Sequence, residues 1–312
     1  MDNKQKPTPA LPIAFFFIFL GFLAILGMMI IFSDRIAVLN PAGYIGRQER
    51  DLIVTSTILM LIVVIPVFIM TLIILWKYRV GQPKAKYNPD SDHNVLAETL
   101  WWGFPFLIVF VLAVIAYNSS YALDPYRVLK STDNKPMKIQ VVALQWKWLF
   151  IYPEEQIATV NFFQIPENIP INFEITADAP MNSFWVPQLG GQIYAMPGMR
   201  SNLHLIANEQ GEFYGSSANI SGIGFSGMTF TVKASSQEDY DKWVKSVKES
   251  PQHLDVGSYL ELAKPSEYNP VATYILAQKD LFDQIVMKPM MPMDRKVSNK
   301  EKHNTLHEHG VE

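Results

Sequence analysis

Three long stretches without a charged residue fall early in this 312-residue chain, at Leu11–Phe32, Leu52–Trp76 and Leu100–Tyr117. At 1.5 Å per residue, each crosses or nearly crosses about 30 Å of hydrocarbon as a helix. Within a bilayer a lone segment must satisfy its own backbone amides, so the runs are predicted to be helices. Pro66 inside the second run kinks such a helix without forbidding it. Trp101 and Trp102 stand where an interfacial aromatic belt falls. The first run exceeds the about 7–15 apolar residues of a secretory signal, so it is read as an uncleaved transmembrane helix.

Between the second and third runs, Lys77–Asn94 carries Lys77, Arg79, Lys84 and Lys86. Positive charge in a short loop marks the cytoplasmic side. The loop between the first two runs holds Arg35, Arg47 and Arg50, which oppose that bias in part. Both ends of the hairpin then face outward, and everything after about residue 119 lies outside.

From Met137 the pattern changes to short β-branched or alternating stretches: 138–143, 145–152, 157–163, 171–176, 183–187, 201–207 and 228–233. Pro and Gly turns separate them, which predicts an antiparallel sandwich of about 100 residues. After Ala234 the segments 236–249, 257–262 and 280–287 read as helices. The tail from Lys288 is rich in Met, Lys and His and has few apolar anchors, so it is expected to be disordered. The divisions are 1–33 for the first helix, 34–118 for the hairpin, 119–235 for the sandwich, 236–287 for a helical arm and 288–312 for the tail.

The chain contains no cysteine. That excludes disulfides, thiolate metal sites, a cysteine nucleophile and a thioether-linked lipid. A net charge of −3 gives no reason to expect nucleic acid.

Two segments carry a more specific pattern. Glu98-Thr99-Leu100-Trp101, followed by Pro105, opens the third run. Met181-Asn182-Ser183-Phe184-Trp185-Val186-Pro187 precedes Tyr214-Gly215-Ser216-Ser217-Ala218-Asn219-Ile220-Ser221-Gly222, with Phe225 and Met228 beyond. Together with Gln145-Trp146-Lys147-Trp148, these resemble subunit II of the haem–copper terminal oxidases. The resemblance implies a two-helix hairpin that carries a cupredoxin-like Greek-key β-sandwich on the outer membrane face.

In the cytochrome c oxidase branch that domain holds a two-copper centre ligated by histidines, cysteines, a methionine and a backbone carbonyl. Carried across, its histidines fall on Asn182 and Phe225, its cysteines on Ser217 and Ser221, and the carbonyl on Asn219; only Met228 is retained. Copper of this type needs soft thiolates and imidazoles. Neutral hydroxyls, amides, a phenyl ring and one thioether do not replace them, so no metal is expected here. The pattern is similar to the quinol oxidase branch, in particular the cytochrome bo-type ubiquinol oxidases. Leu39-Asn40-Pro41, Trp146-Lys147-Trp148, Phe225-Ser226-Gly227-Met228 and Pro265-Ser266-Glu267-Tyr268-Asn269 all look like that type. Many members carry a lipoprotein cysteine shortly before the Leu39 segment. Here Asp34 stands near that place, which supports an uncleaved first helix.

The resemblance implies that Glu98 admits protons bound for the active site in subunit I. The plainer alternative is an acid that complements its helix dipole, worth about 0.3–1 kcal/mol. Trp146 and Trp148 occupy an aromatic cluster read as structural, because no copper is there to receive an electron. His93, His204 and His253 lack a second ligand at metal spacing and are read as solvated or hydrogen-bonded. His303, His307 and His309 lie in the tail, behind Met287, Met290, Met291 and Met293, and read as soluble sequence or a weak copper chelator. Glu154 and Glu155 are adjacent and point to opposite strand faces, so they form no acid–base pair.

The expected function is a non-redox subunit of a respiratory, proton-translocating ubiquinol oxidase of the bacterial inner membrane, multi-pass, with a periplasmic C-terminal domain. Haems and one copper are expected in subunit I, and none in this chain. Expected partners are subunit I, the other oxidase subunits, membrane lipid and ubiquinol through the complex. Cytochrome c is not expected, since residues 119–234 hold nine acids and seven bases, a poor face for a basic cytochrome. The alternatives are a copper-free cupredoxin-like membrane module for assembly, sensing or binding, and a menaquinol oxidase subunit.

Overall fold

The computed structural model describes residues 10–32, 35–78, 93–129 and 135–291. Asp34, Arg79, Lys84, Lys86, Met293 and the three tail histidines lie outside the described residues.

The chain divides into two compact units: residues 10–40 with 50–122, and residues 41–49 with 123–291. The first unit is helical: α1 (Ala10–Ile31), α2 (Tyr44–Lys77) and α3 (Val95–Ala122), with the first turns of α2 belonging to the other unit. Helices α2 and α3 are long and apolar enough to cross a membrane. Pro66 and Pro105 lie inside α2 and α3. Thr57 and Thr71 donate their hydroxyls to carbonyls one turn back, which satisfies polar groups that hydrocarbon would leave unpaired. Phe68 of α2 stacks on Phe22 of α1 at 6.2 Å.

The second unit is a β-sandwich. Its strands are β1 (Met137–Leu144), β2 (Lys147–Tyr152), β3 (Ile157–Val160), β4 (Phe162–Pro166), β5 (Ile171–Ala177), β6 (Asn182–Trp185), β7 (Ile193–Ala195), β8 (Ser201–Leu205), β9 (Gly211–Ser217) and β10 (Thr229–Ser235). The arm adds α4 (Gln237–Lys248), β11 (His253–Leu254), α5 (Val256–Leu262), β12 (Ala272–Leu276) and α6 (Leu281–Met287). One sheet runs β11-β12-β3-β2-β1-β5-β8 and the other β4-β10-β9-β6-β7. The pairing is mixed, not wholly antiparallel: β1 with β5, β4 with β10 and β11 with β12 are parallel.

The single stretch expected at 157–163 is two strands in different sheets. Asn161 turns the corner in the left-handed region, at φ +55°, which an asparagine tolerates better than a β-branched residue. Its Oδ1 accepts from the Trp148 amide at 2.8 Å, and its Nδ2 donates to the Asn269 carbonyl at 2.9 Å. The three helices expected in the arm are present, and two strands that its pattern did not mark lie between them. Strand β12 pairs antiparallel with β3, extending the seven-stranded sheet, and α5 and α6 cover that sheet's outer face.

Between the sheets lies an aromatic core. Phe184 and Phe230 stack at 5.2 Å, and Trp148 meets both edge-on at 5.6 Å. Phe150 and Phe163 close the cluster at 4.6 Å from each other. Strand β9 makes room for it with Gly215, where an added Cβ would lie 2.0 Å from the Phe230 ring. That ring is wedged among four others and has nowhere to retreat. Gly215→Ala is therefore expected to destabilise the sandwich by about 1–3 kcal/mol. Urea unfolding of the full chain in detergent, followed by tryptophan fluorescence, checks this as a lowered midpoint.

Candidate functional site

Of the sequence-selected residues, six converge at one end of the sandwich. Asn182 opens β6, Ser217 closes β9, and Asn219, Ser221, Phe225 and Met228 follow on the connection to β10. The register brings Phe184 opposite Ser217, so Asn182 and Ser217 face one another in the interior.

Their polar atoms are taken up locally. The Ser217 hydroxyl lies 3.0 Å from Asn182 Oδ1 and 3.2 Å from the Asn219 carbonyl, with the Asn219 amide 3.4 Å from Ser217 Oγ. Asn182 Nδ2 donates to the Pro180 carbonyl at 2.7 Å, and Asn219 Nδ2 to the Met181 carbonyl at 2.9 Å. Ser221 Oγ sits 4.0 Å from the Met228 sulfur, a weak contact between two groups. Met228 is fully buried and Phe225 half-buried in a short 3-10 turn (Ile223–Gly227). This donor set does not fit a dinuclear copper group. Its hydroxyls and amides are hard and neutral, and they already bond one another or the backbone. Among the described residues, no group of three or more His, Cys, Asp or Glu side chains is placed to hold a metal ion.

The two tryptophans separate. Trp148 is fully buried in the aromatic core. Trp146, at φ +66°, is also buried and lays its indole over Gly222 and Gly224, donating Nε1–H to the Ser221 carbonyl at 3.1 Å. A Cβ at Gly224 would lie 2.5 Å from that ring, so this glycine is required by close approach.

Between them Lys147 is buried. Its ammonium donates to the Lys264 carbonyl at 3.0 Å and to Ser266 Oγ. Burial lowers the Lys147 pKa below the usual lysine value, since desolvation penalises the cation. On the same segment Tyr268 packs its ring over Gly227 and places its hydroxyl 3.2 Å from Ser226 Oγ. The arm thus grips both the loop before β10 and strand β2. Asp178 supplies a second fastening, accepting from Tyr259 Oη at 2.6 Å and from Lys288 Nζ at 2.5 Å.

Glu98 lies in the first unit, in the opening turn of α3, whereas the six belong to the second. Asn94 caps this helix by accepting from the Ala97 amide at 3.0 Å, and Glu98 Oε1 reaches back to the Asn94 amide at 3.3 Å. The same oxygen lies 3.1 Å from His93 Nδ1. Sequence reasoning read His93 as solvated or hydrogen-bonded without naming Glu98; it stands just before the cap. Likewise, no periodicity marked Lys147 as the arm's anchor. Its only signal was a cation between two aromatics in a strand.

The comparisons with known proteins agree with this geometry. A family model described as the cytochrome c oxidase subunit II periplasmic domain matches residues 153–235, and the COX aromatic rich motif matches 248–293. Cytochrome bo(3) ubiquinol oxidase subunit 2 of Pseudomonas putida is 54% identical over 268 residues, covering 86% of this chain and 85% of that protein. Ubiquinol oxidase subunit 2 of Acetobacter aceti is 49% identical over 252 residues, covering 80% of this chain and 82% of that protein. The solved periplasmic domain of cytochrome oxidase subunit II of Bradyrhizobium japonicum is similar with a TM-score of 0.37 and 22% identity. That match covers 39% of this chain and 98% of that one.

Apolar helices followed by a cupredoxin-like sandwich define a class, the membrane-anchored subunit II of terminal oxidases. Within that class, the chain belongs to the ubiquinol oxidase subunit 2 family.

Replacing Lys147 by Met keeps the stem and deletes the ammonium, leaving the Lys264 carbonyl and Ser266 hydroxyl without that partner. A loss of about 1–3 kcal/mol is expected. Limited proteolysis of the assembled protein checks it as faster cleavage between residues 262 and 272.

Proposed function

We propose that this chain is the non-redox subunit II of a respiratory, proton-translocating ubiquinol oxidase that converts ubiquinol and O2 to ubiquinone and water. The observation that carries the absence of a redox role is the Asn182–Ser217–Asn219 network, in which the former copper positions bond one another and the backbone. The haems and single copper belong to subunit I, where they supply the electron transfer and oxygen reduction. Electrons reach them from quinol within the membrane.

This chain then has three tasks. Its hairpin, residues 34–118, packs α2 and α3 into the membrane part of the complex beside a retained first helix. Its sandwich, residues 119–235, caps the assembly on the periplasmic side, fastened by the arm of residues 236–287. Its Glu98 admits protons from the cytoplasmic side. The contacts of Glu98 support a group that is held in place and open to water, since its carboxylate is tied to the cap of α3 while remaining 39% exposed. A carboxylate at the rim of a membrane helix is costly to bury and is often found on a proton path. Trp146, Trp148 and Met228 serve packing.

Purification of the native complex, with metal analysis and a comparison of electron donors, tests the reading. Turnover with quinol, none with reduced cytochrome c, and one copper per complex are the expected results. Additional stoichiometric copper or cytochrome c oxidation overturns it. Glu98→Gln is expected to lower steady-state quinol oxidation roughly tenfold, about 1.4 kcal/mol on the barrier, with haem content and assembly unchanged. Unaltered turnover across the pH range removes the proton role.

A further inference from the structure

The second unit holds a cleft of about 100 Å³ lined by Ile45, Glu49, Leu123, Asp124, Arg127 and His204, with the backbone of Gly191 on its floor. Its charges are arranged unusually. The Glu49 carboxylate is half-buried and accepts a hydrogen bond from the Gly191 amide. Gly191 is the residue that permits this, because a Cβ there would stand 2.8 Å from Glu49 Oε1. Neighbouring arginines on α2 are neutralised, Arg47 by Glu209 at 2.6 Å and Arg50 by Asp51 at 2.7 Å. Among the described residues, neither Glu49 nor Arg127 has an ion-pair partner, although both line the same cleft. Asp124, which caps the Tyr126 amide at 2.9 Å, is a second carboxylate of the cleft without an ion pair among the described residues, and His204 lies against the Pro125 carbonyl at 3.0 Å. Carboxylates in excess over a single guanidinium favour a ligand that brings a cation, with an anion beside it for Arg127.

The chain places this cleft at a defined depth. Glu49 precedes the uncharged run of α2 by three residues, about 4.5 Å along the helix. Leu123 follows the last residue of α3 directly. The apolar run of α3 ends at Tyr117, six residues or about 9 Å before Leu123, so both runs begin within about two turns of the cleft, at the level of lipid headgroups. A half-buried carboxylate without a cation is unfavourable unless something supplies one. A carboxylate accepts from the N–H groups of a primary ammonium, and a trimethylated ammonium has none to give.

We propose that this cleft is a binding site for a zwitterionic phospholipid with a primary ammonium, a phosphatidylethanolamine of the outer leaflet, with the ammonium on Glu49 and the phosphate toward Arg127. The site rests on the sandwich facing the outer leaflet, and it is independent of the route of protons or electrons.

Native mass spectrometry of the purified complex, titrated with short-chain phosphatidylethanolamine, phosphatidylcholine and phosphatidylglycerol, tests it. One phosphatidylethanolamine per complex is expected to survive at collision energies that strip the other two. Glu49→Gln and Arg127→Gln are each expected to weaken that adduct about tenfold, near 1.4 kcal/mol, with quinol turnover retained. Equal retention of phosphatidylcholine overturns the ammonium role. Equal retention of phosphatidylglycerol, sensitive only to Arg127, reduces the site to a general anion contact and overturns the proposal. An adduct indifferent to both substitutions also overturns it. Arg127 is exposed, so its variant remains informative should Glu49→Gln impair assembly, and the comparison of lipids on the unaltered protein needs no variant.

Discussion

Packing of Phe184 against Phe230, with Trp148 set edge-on to both, is the contact on which the outer domain depends. Phe184 and Phe230 belong to the five-stranded sheet and Trp148 to the seven-stranded one, so the cluster joins the two sheets. A metal cross-links strands through bonds of fixed length, whereas an aromatic cluster does so through shape and buried area. Once the sheets are held this way, Asn182 and Ser217 need only satisfy one another. The remaining loop is steadied from outside by Trp146 and Tyr268.

The arm is the second element of this arrangement. Its β12 extends the seven-stranded sheet by pairing with β3, and α5 and α6 bury the outer face with Leu281, Phe282 and Ile285. Polar fastenings then fix its path at Lys147 and at Asp178. A buried lysine bonded to a carbonyl and a hydroxyl, with no carboxylate, stabilises little by charge alone, so its value lies in directing where the chain runs.

Much of this was legible in the residues, for identifiable reasons. Long uncharged runs have few alternatives to spanning helices, and α2 and α3 contain the runs Leu52–Trp76 and Leu100–Tyr117. Strands with β-branched residues, such as β1 and β5, declared themselves within a residue or two. Strand β9 did not, because its inward positions are Phe213, Gly215 and Ser217, and small residues chosen to admit a neighbouring ring carry no hydrophobic period. Strands β11 and β12 were hidden by brevity, and Asn161 concealed a change of sheet within one apolar stretch. The six positions from Asn182 to Met228 could be gathered through the resemblance, yet the hydrogen bonds among Asn182, Ser217 and Asn219 depend on a register no spacing rule predicts. The partnership of His93 with Glu98 and the cleft beside Glu49 were invisible for a related reason. Each is made by backbone turning back on itself, and sequence distance says nothing about it.

The hydrogen-bonded network at the end of the sandwich has a consequence for how the subunit matures. A domain whose loops are shaped by thiolates is exposed, before its metal arrives, to closure of those thiols into a disulfide in an oxidising compartment. Ser217 and Ser221 cannot be oxidised in that manner, and the contacts among Asn182, Ser217 and Asn219 are made from the chain's own atoms as the strands come into register.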